Sequence, residues 1–147
     1  MQRRHQSIID LSRDHHHGLI LAQLIRKNAP IYKNLPASPE GKTEYALNAY
    51  ETELLPHFKK EEEILFPAVK RKNDELKELV NQLIADHKKI IGLIEKLRND
   101  ENKIAILDEL GSLLIQHIRK EERELFKIIQ DVLTEEELEK LDNLFSN

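Results

Sequence analysis

Two short stretches of the chain combine histidine and glutamate at a spacing that suits metal binding. Each has the pattern His-x-x-x-Glu, first at His57 and Glu61 and again at His117 and Glu121. Because residues four apart in an α-helix lie one turn above each other, each pair presents a ring nitrogen and a carboxylate to one region of space. A single pair of this kind is common on helix surfaces as a charge contact. Its recurrence, each time followed by Leu-Phe, indicates one structural unit used twice.

A second motif recurs in the same way. Asp14-His15 opens an apolar stretch that ends at Arg26, and Asp86-His87 opens a similar stretch that ends at Arg98. Along the chain the order is therefore Asp-His, His-x-x-x-Glu, Asp-His, His-x-x-x-Glu. Each unit falls on its own predicted helix, so four helices would supply the whole set.

Apolar periodicity predicts these helices and a shorter fifth one. The first runs from about residue 7 to 28 and is stopped by Pro30; the second begins near Pro39 with Ser38 as its cap. The third begins at Asn73-Asp74, the fourth ends near residue 131, and the fifth covers about 135–145. We therefore expect an all-α, up-down-up-down four-helix bundle over residues 7–131 with a short additional C-terminal helix, and residues 1–147 as a single domain.

The apolar stripes decide which side chains face the core. In the first helix His15 lies within the stripe, whereas a register that turns His16 or His17 inward would bury polar residues. His87 is the one polar member of the third stripe. The second stripe comprises Leu47, Tyr50, Leu54, His57, Glu61, Ile64 or Leu65, and Ala68. The fourth comprises Ile106, Leu110, Leu113, Leu114, His117, Glu121, Leu125 and Ile128. Pro56 should bend the second helix just before His57.

Two inward glutamates require a source of positive charge. Burying each carboxylate without a counter-charge costs several kcal/mol, and neutral imidazoles do not offset that cost. No lysine or arginine lies on the inward stripes near these positions, so a metal ion is the simplest partner. Imidazole and carboxylate ligands without sulfur suit iron, manganese or zinc, and two carboxylates able to bridge suit a pair of ions.

Composition excludes several other classes. The chain has no cysteine, which rules out disulfides, iron–sulfur clusters and thiolate zinc sites. Its net charge of −4 and its interleaved acidic and basic residues give no basic face for nucleic acid. The N-terminus lacks the apolar segment of a signal peptide, and no apolar run approaches the roughly 20 residues that span a bilayer. We expect a soluble cytoplasmic protein without a membrane or nucleic-acid partner.

The motif order resembles that of the hemerythrin-like family, the His-His-Glu cation-binding domains. The resemblance rests on Asp14-His15, on His57 to Glu62, on Asp86-His87, and on His117 to Phe126. The opening stretch from Arg4 through Leu19 is similar to the first helix of a bacterial subgroup. Together the similar segments extend from residue 5 to about residue 130.

The resemblance implies a four-helix bundle that holds a non-haem di-iron centre with an oxo or hydroxo bridge. One iron would be held by His15 and His57 and the other by His87 and His117. Glu61 and Glu121 would bridge the two ions. Members of the family bind dioxygen, sense oxygen, iron or nitric oxide, or help to repair damaged iron centres.

The chain departs from the oxygen-carrying members at two places. Those members have a second histidine one turn after the third-helix ligand, and this chain has Ile91 there. They also have an aspartate five residues after the fourth-helix histidine, and this chain has Glu122 there. One iron would then have open positions for water, dioxygen or a small anion, which favours sensing, redox reaction or labile metal binding over stable oxygen carriage. Glu53 and Tyr50 are candidates to fill the gap; for Tyr50 we favour a core position.

Three functions remain open at this point. The first is a di-iron protein that binds or senses dioxygen or a related small oxidant, without necessarily being an enzyme. The second is a redox enzyme in which the same centre reduces peroxide or nitric oxide. The third is a metal-free structural bundle that interacts with a protein partner. We favour the first, and the sequence identifies no protein partner.

Overall fold

The structure, a computed structural model, describes residues 4–146. Those residues fold into five helices with no strand among them, which confirms the all-α bundle and its short C-terminal helix. The helices are α1 (Gln6–Ile25), α2 (residues 39–69), α3 (Asp74–Asn99), α4 (residues 103–132) and α5 (Glu135–Phe145). None of them combines the length and apolar character that crossing a bilayer requires.

Side-chain caps set the helix starts where the sequence predicts them. The Ser38 hydroxyl accepts a hydrogen bond from the Gly41 amide at the start of α2, at 3.0 Å. Asn73 accepts one from the Leu76 amide at the start of α3, at 2.8 Å. Thr134 and Glu137 form a reciprocal capping box at the start of α5. Each cap satisfies an amide that the first helical turn leaves without a partner.

Both α2 and α4 contain wide π-helical turns. They are Tyr50–Leu54 and Glu61–Leu65 in α2 and Glu121–Leu125 in α4. In each turn an amide donates to the carbonyl five residues before it, as Phe66 does to Glu61 and Phe126 does to Glu121. The two turns in α2 directly precede Pro56 and Pro67, whose rings lack an amide proton and crowd the preceding turn.

The π turns shift the inward face by one residue. Beyond Glu61 the buried residues are Leu65, Phe66 and Val69, and Ala68 is exposed. Beyond Glu121 they are Leu125, Phe126 and Ile129, and Ile128 is half-buried. The predicted core position Ala68 was therefore wrong, because the stripe was extended at the α-helical period through a turn that contains an extra residue. Ile128 packs at the edge of the core, and Ile129 takes the fully buried position.

In three pairs of packed helices, moving toward the end of one helix brings the contacts closer to the start of the other. His5, just before α1, meets Gln130 in α4, and Lys27, just after α1, meets Asp108 in α4. In α2 and α3, Glu62 meets His87 and Glu51 meets Arg98. In α3 and α4, Asp86 meets His117 and Leu97 meets Lys103. Each of these three helix pairs is therefore antiparallel, and the full up-down-up-down order stays a prediction. That the whole chain forms one domain stays a prediction.

The core has two apolar clusters with a polar layer between them. One cluster includes Leu21, Tyr50, Phe58, Ile94 and Leu110, and the other includes Leu11, Phe66, Leu76, Phe126 and Leu141 from α5. The buried histidines and glutamates lie between these clusters along each of the four long helices. Apolar packing on both sides therefore positions the polar layer and shields it from water.

Candidate metal centre

The six residues that the sequence predicts as metal ligands all lie in this buried layer. Glu61 and Glu121 have no exposed surface, and none of the four histidines is more than 5% exposed. The set consists of His15, His57, Glu61, His87, His117 and Glu121. The structure thus brings the predicted residues together, while their binding of a metal stays a prediction.

The six side chains form two overlapping groups. Atoms able to bind a metal lie within 4.8 Å of one another in a group made of His15, His57, Glu61 and Glu121. The second group consists of Glu61, His87 and His117, whose ligand atoms also lie within 4.8 Å of one another. Glu61 belongs to both groups. A carboxylate shared in this way is placed to contact two ions at once.

Distances within the layer show how each glutamate sits between histidines. Glu61 has His87 Nε2 at 3.1 Å from Oε1 and His57 Nε2 at 3.5 Å from Oε2. Glu121 Oε1 lies 3.0 Å from His15 Nε2 and 3.3 Å from His117 Nε2. Each carboxylate therefore lies between one histidine of the first half of the chain and one of the second.

The other ring nitrogen of every histidine is paired with a carboxylate at the edge of the layer. His57 Nδ1 lies 2.9 Å from Asp14, and His117 Nδ1 lies 3.0 Å from Asp86. The glutamates form the matching pairs: His15 Nδ1 lies 2.8 Å from Glu122, and His87 Nδ1 lies 2.9 Å from Glu62. An Nδ1–H that donates to a carboxylate leaves the Nε2 lone pair directed inward and makes it a better metal ligand.

These four outer carboxylates are the part of the site that sequence reasoning only partly found. Glu62 and Glu122 were expected to be solvent-facing or to support the ligands, and the structure gives them the supporting contact. The roles of Asp14 and Asp86 were missed. The signal was available, because an aspartate precedes the histidine in both halves and both occurrences of His-x-x-x-Glu continue with a second glutamate.

Several buried polar atoms in the layer have no hydrogen-bond partner among the described residues. They are His57 Nε2, His117 Nε2, Glu61 Oε2 and Glu121 Oε2. Within residues 4–146 no lysine or arginine pairs with either of these glutamates; Lys60 and Lys120 pair with Asp14 and Asp86 instead. Unsatisfied buried nitrogen and carboxylate atoms that face one another are the donor set that a cation satisfies. The residues therefore fit a metal.

The electrostatics of the layer follow from its burial and its charge pairs. Burial favours the neutral form of Glu61, but His57 and His87 outweigh it and lower the pKa of Glu61 below its usual range. Burial likewise favours neutral His57, but Glu61 and Asp14 raise its pKa to about 9. For His117 burial prevails over Asp86 and lowers the pKa. At neutral pH the metal-free layer therefore holds a protonated His57 beside ionised Glu61.

Aromatic side chains form the walls of the layer. The ring of Phe126 stacks on His15 with centroids 5.5 Å apart, and Phe58 stacks on His87 at 3.9 Å. Phe66 also lies 5.9 Å from His87. Phe66 and Phe126 are the Phe residues of the recurring Leu-Phe, and the π turns point both members of each Leu-Phe pair inward.

The remaining candidates lie outside the buried layer. Glu53 is exposed, because the Tyr50–Leu54 π turn moves it to the rim of a cavity of about 150 Å³ between α1 and α2, which His17 also lines. His16 and His17 are exposed, as expected. Tyr50 packs in an apolar cluster, which is the core position favoured from the sequence. His5 caps α1 by accepting from the Ser7 amide at 3.1 Å.

Comparison with known protein families gives one match. The model of the family described as hemerythrin, the hemerythrin HHE cation binding domain, matches residues 6–129. These residues include all six members of the buried layer and their four outer carboxylates. Neither the curated proteins nor the solved structures give a match.

Proposed function

The chain belongs to the hemerythrin family of HHE cation-binding domains, and we propose that it holds two iron ions that bind or sense dioxygen or a related small oxidant. The observation that carries this proposal is the buried histidine and glutamate layer with four unpartnered donor atoms. Each of its histidines already has Nδ1 committed to a carboxylate, so four Nε2 atoms are left for metal.

In the assignment that we propose, His15 and His57 bind one iron, and His87 and His117 bind the other. Glu61 and Glu121 bridge the pair. The contact pattern supports this division, because each glutamate lies between histidines of different halves. Two cations beside two buried carboxylates also remove the cost of burying those charges.

Iron is favoured over zinc and manganese by family membership rather than by the donor set alone. Imidazole and carboxylate ligands suit all three metals. When bound, iron would supply the one-electron and dioxygen chemistry that protein side chains lack. The chain itself binds and orients the metal, and the two apolar clusters on either side of the layer exclude water from it.

The other two functions are less well supported. A metal-free structural bundle would leave four buried nitrogen and oxygen atoms of the layer without hydrogen-bond partners. A redox enzyme acting on peroxide or nitric oxide would use the same ligands, and no contact in the structure favours it over binding or sensing. Dioxygen, nitric oxide and peroxide therefore share one proposed site.

Replacement of both bridging candidates tests the assignment. The Glu61→Gln, Glu121→Gln double variant keeps the shape of the side chains but removes both negative charges, so it should hold at most one iron per chain where the parent holds two. The matched control is Glu63→Gln, Glu124→Gln, which alters exposed glutamates of the same two segments and should keep both ions. Metal analysis after gel filtration measures the ratio. Two ions in the buried-site variant would refute bridging by these residues.

A further inference from the structure

We propose that the two metal positions are unequal, because a clamp of Arg4, Ser12 and Glu122 anchors His15 and nothing comparable among the described residues anchors His87. The metal at His87 and His117 then leaves first, while the metal at His15 and His57 is retained. This inference rests on the proposed dinuclear centre and adds to it an exchangeable position.

The clamp is a compact hydrogen-bond network around the Glu122 carboxylate. Arg4 Nη1 lies 2.5 Å from Oε2, and the Ser12 hydroxyl donates to Oε1 at 2.5 Å. The same Oε1 accepts from His15 Nδ1 at 2.8 Å. Arg4 also donates to the Ser12 hydroxyl at 3.1 Å and to the Glu122 carbonyl at 3.3 Å. The carboxylate that orients His15 is therefore fixed by two further side chains from the N-terminal part of the chain.

The corresponding carboxylate in the other half has no such support. Glu62 lies 2.9 Å from His87 Nδ1, and within residues 4–146 this is its one hydrogen-bond partner. Its side chain is 41% exposed, compared with 22% for Glu122. The positions that correspond to Ser12 and Arg4 in the sequence repeat are Ile84 and Leu76, whose side chains cannot donate a hydrogen bond.

The aspartate pairs do not create this difference. Asp14 and Asp86 lie 2.9 and 3.0 Å from their histidines, and each is paired with a lysine, Lys60 at 3.7 Å and Lys120 at 3.3 Å. The two halves therefore match at the aspartates and differ at the glutamates.

The metal-binding atoms inside the layer also favour the position at His15 over the position at His87. Four residues come together at the His15 position, namely His15, His57, Glu61 and Glu121, whereas three come together at the His87 position, namely Glu61, His87 and His117. A better-anchored imidazole and the closer approach of Glu121 Oε1 to His15 Nε2, at 3.0 Å, than to His117 Nε2, at 3.3 Å, both favour the first position. Loss of an outer-shell partner of a ligating histidine commonly costs 10- to 100-fold in metal affinity. His15 and His87 both keep a carboxylate partner, so the weaker anchoring of Glu62 should cost up to about 10-fold, which release rates can measure. An ion that exchanges beside one that stays would let the centre respond to the supply of metal.

Release of iron to a chelator tests the proposal. The full-length protein is loaded anaerobically with ferrous iron to two ions per chain, mixed with an excess of a ferrous chelator, and followed by absorbance. The parent should release its iron in two phases of equal amplitude. The Arg4→Gln, Ser12→Ala variant keeps Glu122 but releases it, so it should accelerate the slow phase by up to about 10-fold and leave the fast phase unchanged. Arg4→Lys, which keeps the charge, should recover part of the slow release.

Controls separate the clamp from a general loss of charge or stability. Arg13→Gln removes one positive charge, as Arg4→Gln does, but within residues 4–146 the one ion pair of Arg13 is with Asp10, at 3.7 Å, so it should behave as the parent. His87→Ala should retain one ion that leaves at the slow rate. A single release phase in the parent, or an effect of the clamp variant on the fast phase, would overturn the proposal. Fewer than two ions per loaded chain, seen before any chelator is added, would overturn both the dinuclear centre and its unequal positions.

Discussion

Each buried histidine of the central layer uses its two ring nitrogens for different purposes. Nδ1 faces a carboxylate at the edge of the layer, and Nε2 faces Glu61 or Glu121 inside it. An ordinary core histidine needs a single partner to satisfy its polar group. Four Nδ1 atoms that are each paired with an outer carboxylate, and four Nε2 atoms that face two inner glutamates, are instead the arrangement in which an outer shell orients the ligands of a metal.

The burial of His15 gives a prediction that distinguishes it from its neighbours. His15→Ala should lower iron content to about one ion per chain, because it removes an inner donor, whereas His16→Ala and His17→Ala remove exposed side chains and should keep two ions. Elemental analysis of the three purified variants measures this. A larger loss in His16→Ala or His17→Ala would show that α1 presents a different face to the core.

The charge state of His57 predicts how the stability of the metal-free protein depends on pH. Its pKa is raised from 6.5 to about 9 in the folded state, so its contribution is fully present below pH 6.5 and is lost as pH rises through about 9. The pKa of His117 is lowered in the folded state, so protonation of this histidine reduces the free energy of unfolding, and it does so only below pH 6.5. The free energy of unfolding should therefore decrease between pH 7 and pH 9.

Urea unfolding of the chelated protein at pH 7 and pH 9 measures that decrease. In Glu61→Gln the first cause of the raised pKa is gone, so the decrease should shrink, on the scale of about 1.4 kcal/mol for each pKa unit lost. Glu63→Gln changes an exposed neighbour and should retain the parent slope. Equal slopes in parent and Glu61→Gln would contradict the assigned pairing.

At the scale of helices, the π turns account for what sequence periodicity could and could not predict. His15, His57, His87 and His117 were placed correctly because each lies on an α-helical stripe that continues on at least one side. Leu65 and Leu125 lie on the predicted stripes, but beyond them the buried positions are Val69 and Ile129 instead of Ala68 and Ile128, because a π turn adds a residue that the 3.6-residue period does not anticipate. Pro67 gives a local reason for the turn in α2, but no proline follows the equivalent turn in α4.

The edge of the site could be predicted less well than its centre. The inner residues recur at a spacing that has a direct chemical meaning. The pairs Asp14 with His57 and Glu122 with His15 join different helices, so the packing of those helices determines them and the local pattern does not. Recurrence alone could mark Asp14 and Asp86 as important without stating which histidine each one contacts.

The close approach of α1 and α4 predicts different outcomes for two glycines. A Cβ at Gly111 would lie 2.7 Å from the Ala22 carbonyl oxygen, which is backbone and cannot move alone. Gly111→Ala should therefore force the helices apart and reduce the free energy of unfolding by about 1–3 kcal/mol. A Cβ added at Gly92 in α3 would have no neighbour among the described residues within 4 Å. Gly92→Ala should therefore increase the free energy of unfolding by about 0.5–1 kcal/mol.

Urea unfolding of the metal-free variants compares the two glycines without interference from bound metal. The Gly92 variant serves as the control for the general effect of alanine in a helix. A Gly111→Ala protein as stable as Gly92→Ala would show that α1 and α4 are not in the contact described.

At the scale of the whole molecule, the chain is built as two similar halves that enclose one layer. Each half supplies an Asp-His unit and a His-x-x-x-Glu-Glu unit, and the outer glutamate of each half supports a histidine of the other. Apolar clusters close the layer above and below, and α5 extends one of them through Leu138 and Leu141. The bundle thereby offers a buried, preoriented donor set that neither half provides alone.

Metal content together with the absorption spectrum decides whether this layer holds two iron ions. The protein is produced in cells supplied with iron, and both quantities are recorded first without air and then after exposure to it. Two irons per chain, with the charge-transfer bands of a bridged ferric pair developing in air, are the predicted result. Zinc in place of iron, or a protein without metal whose stability does not change on adding iron, would contradict the account.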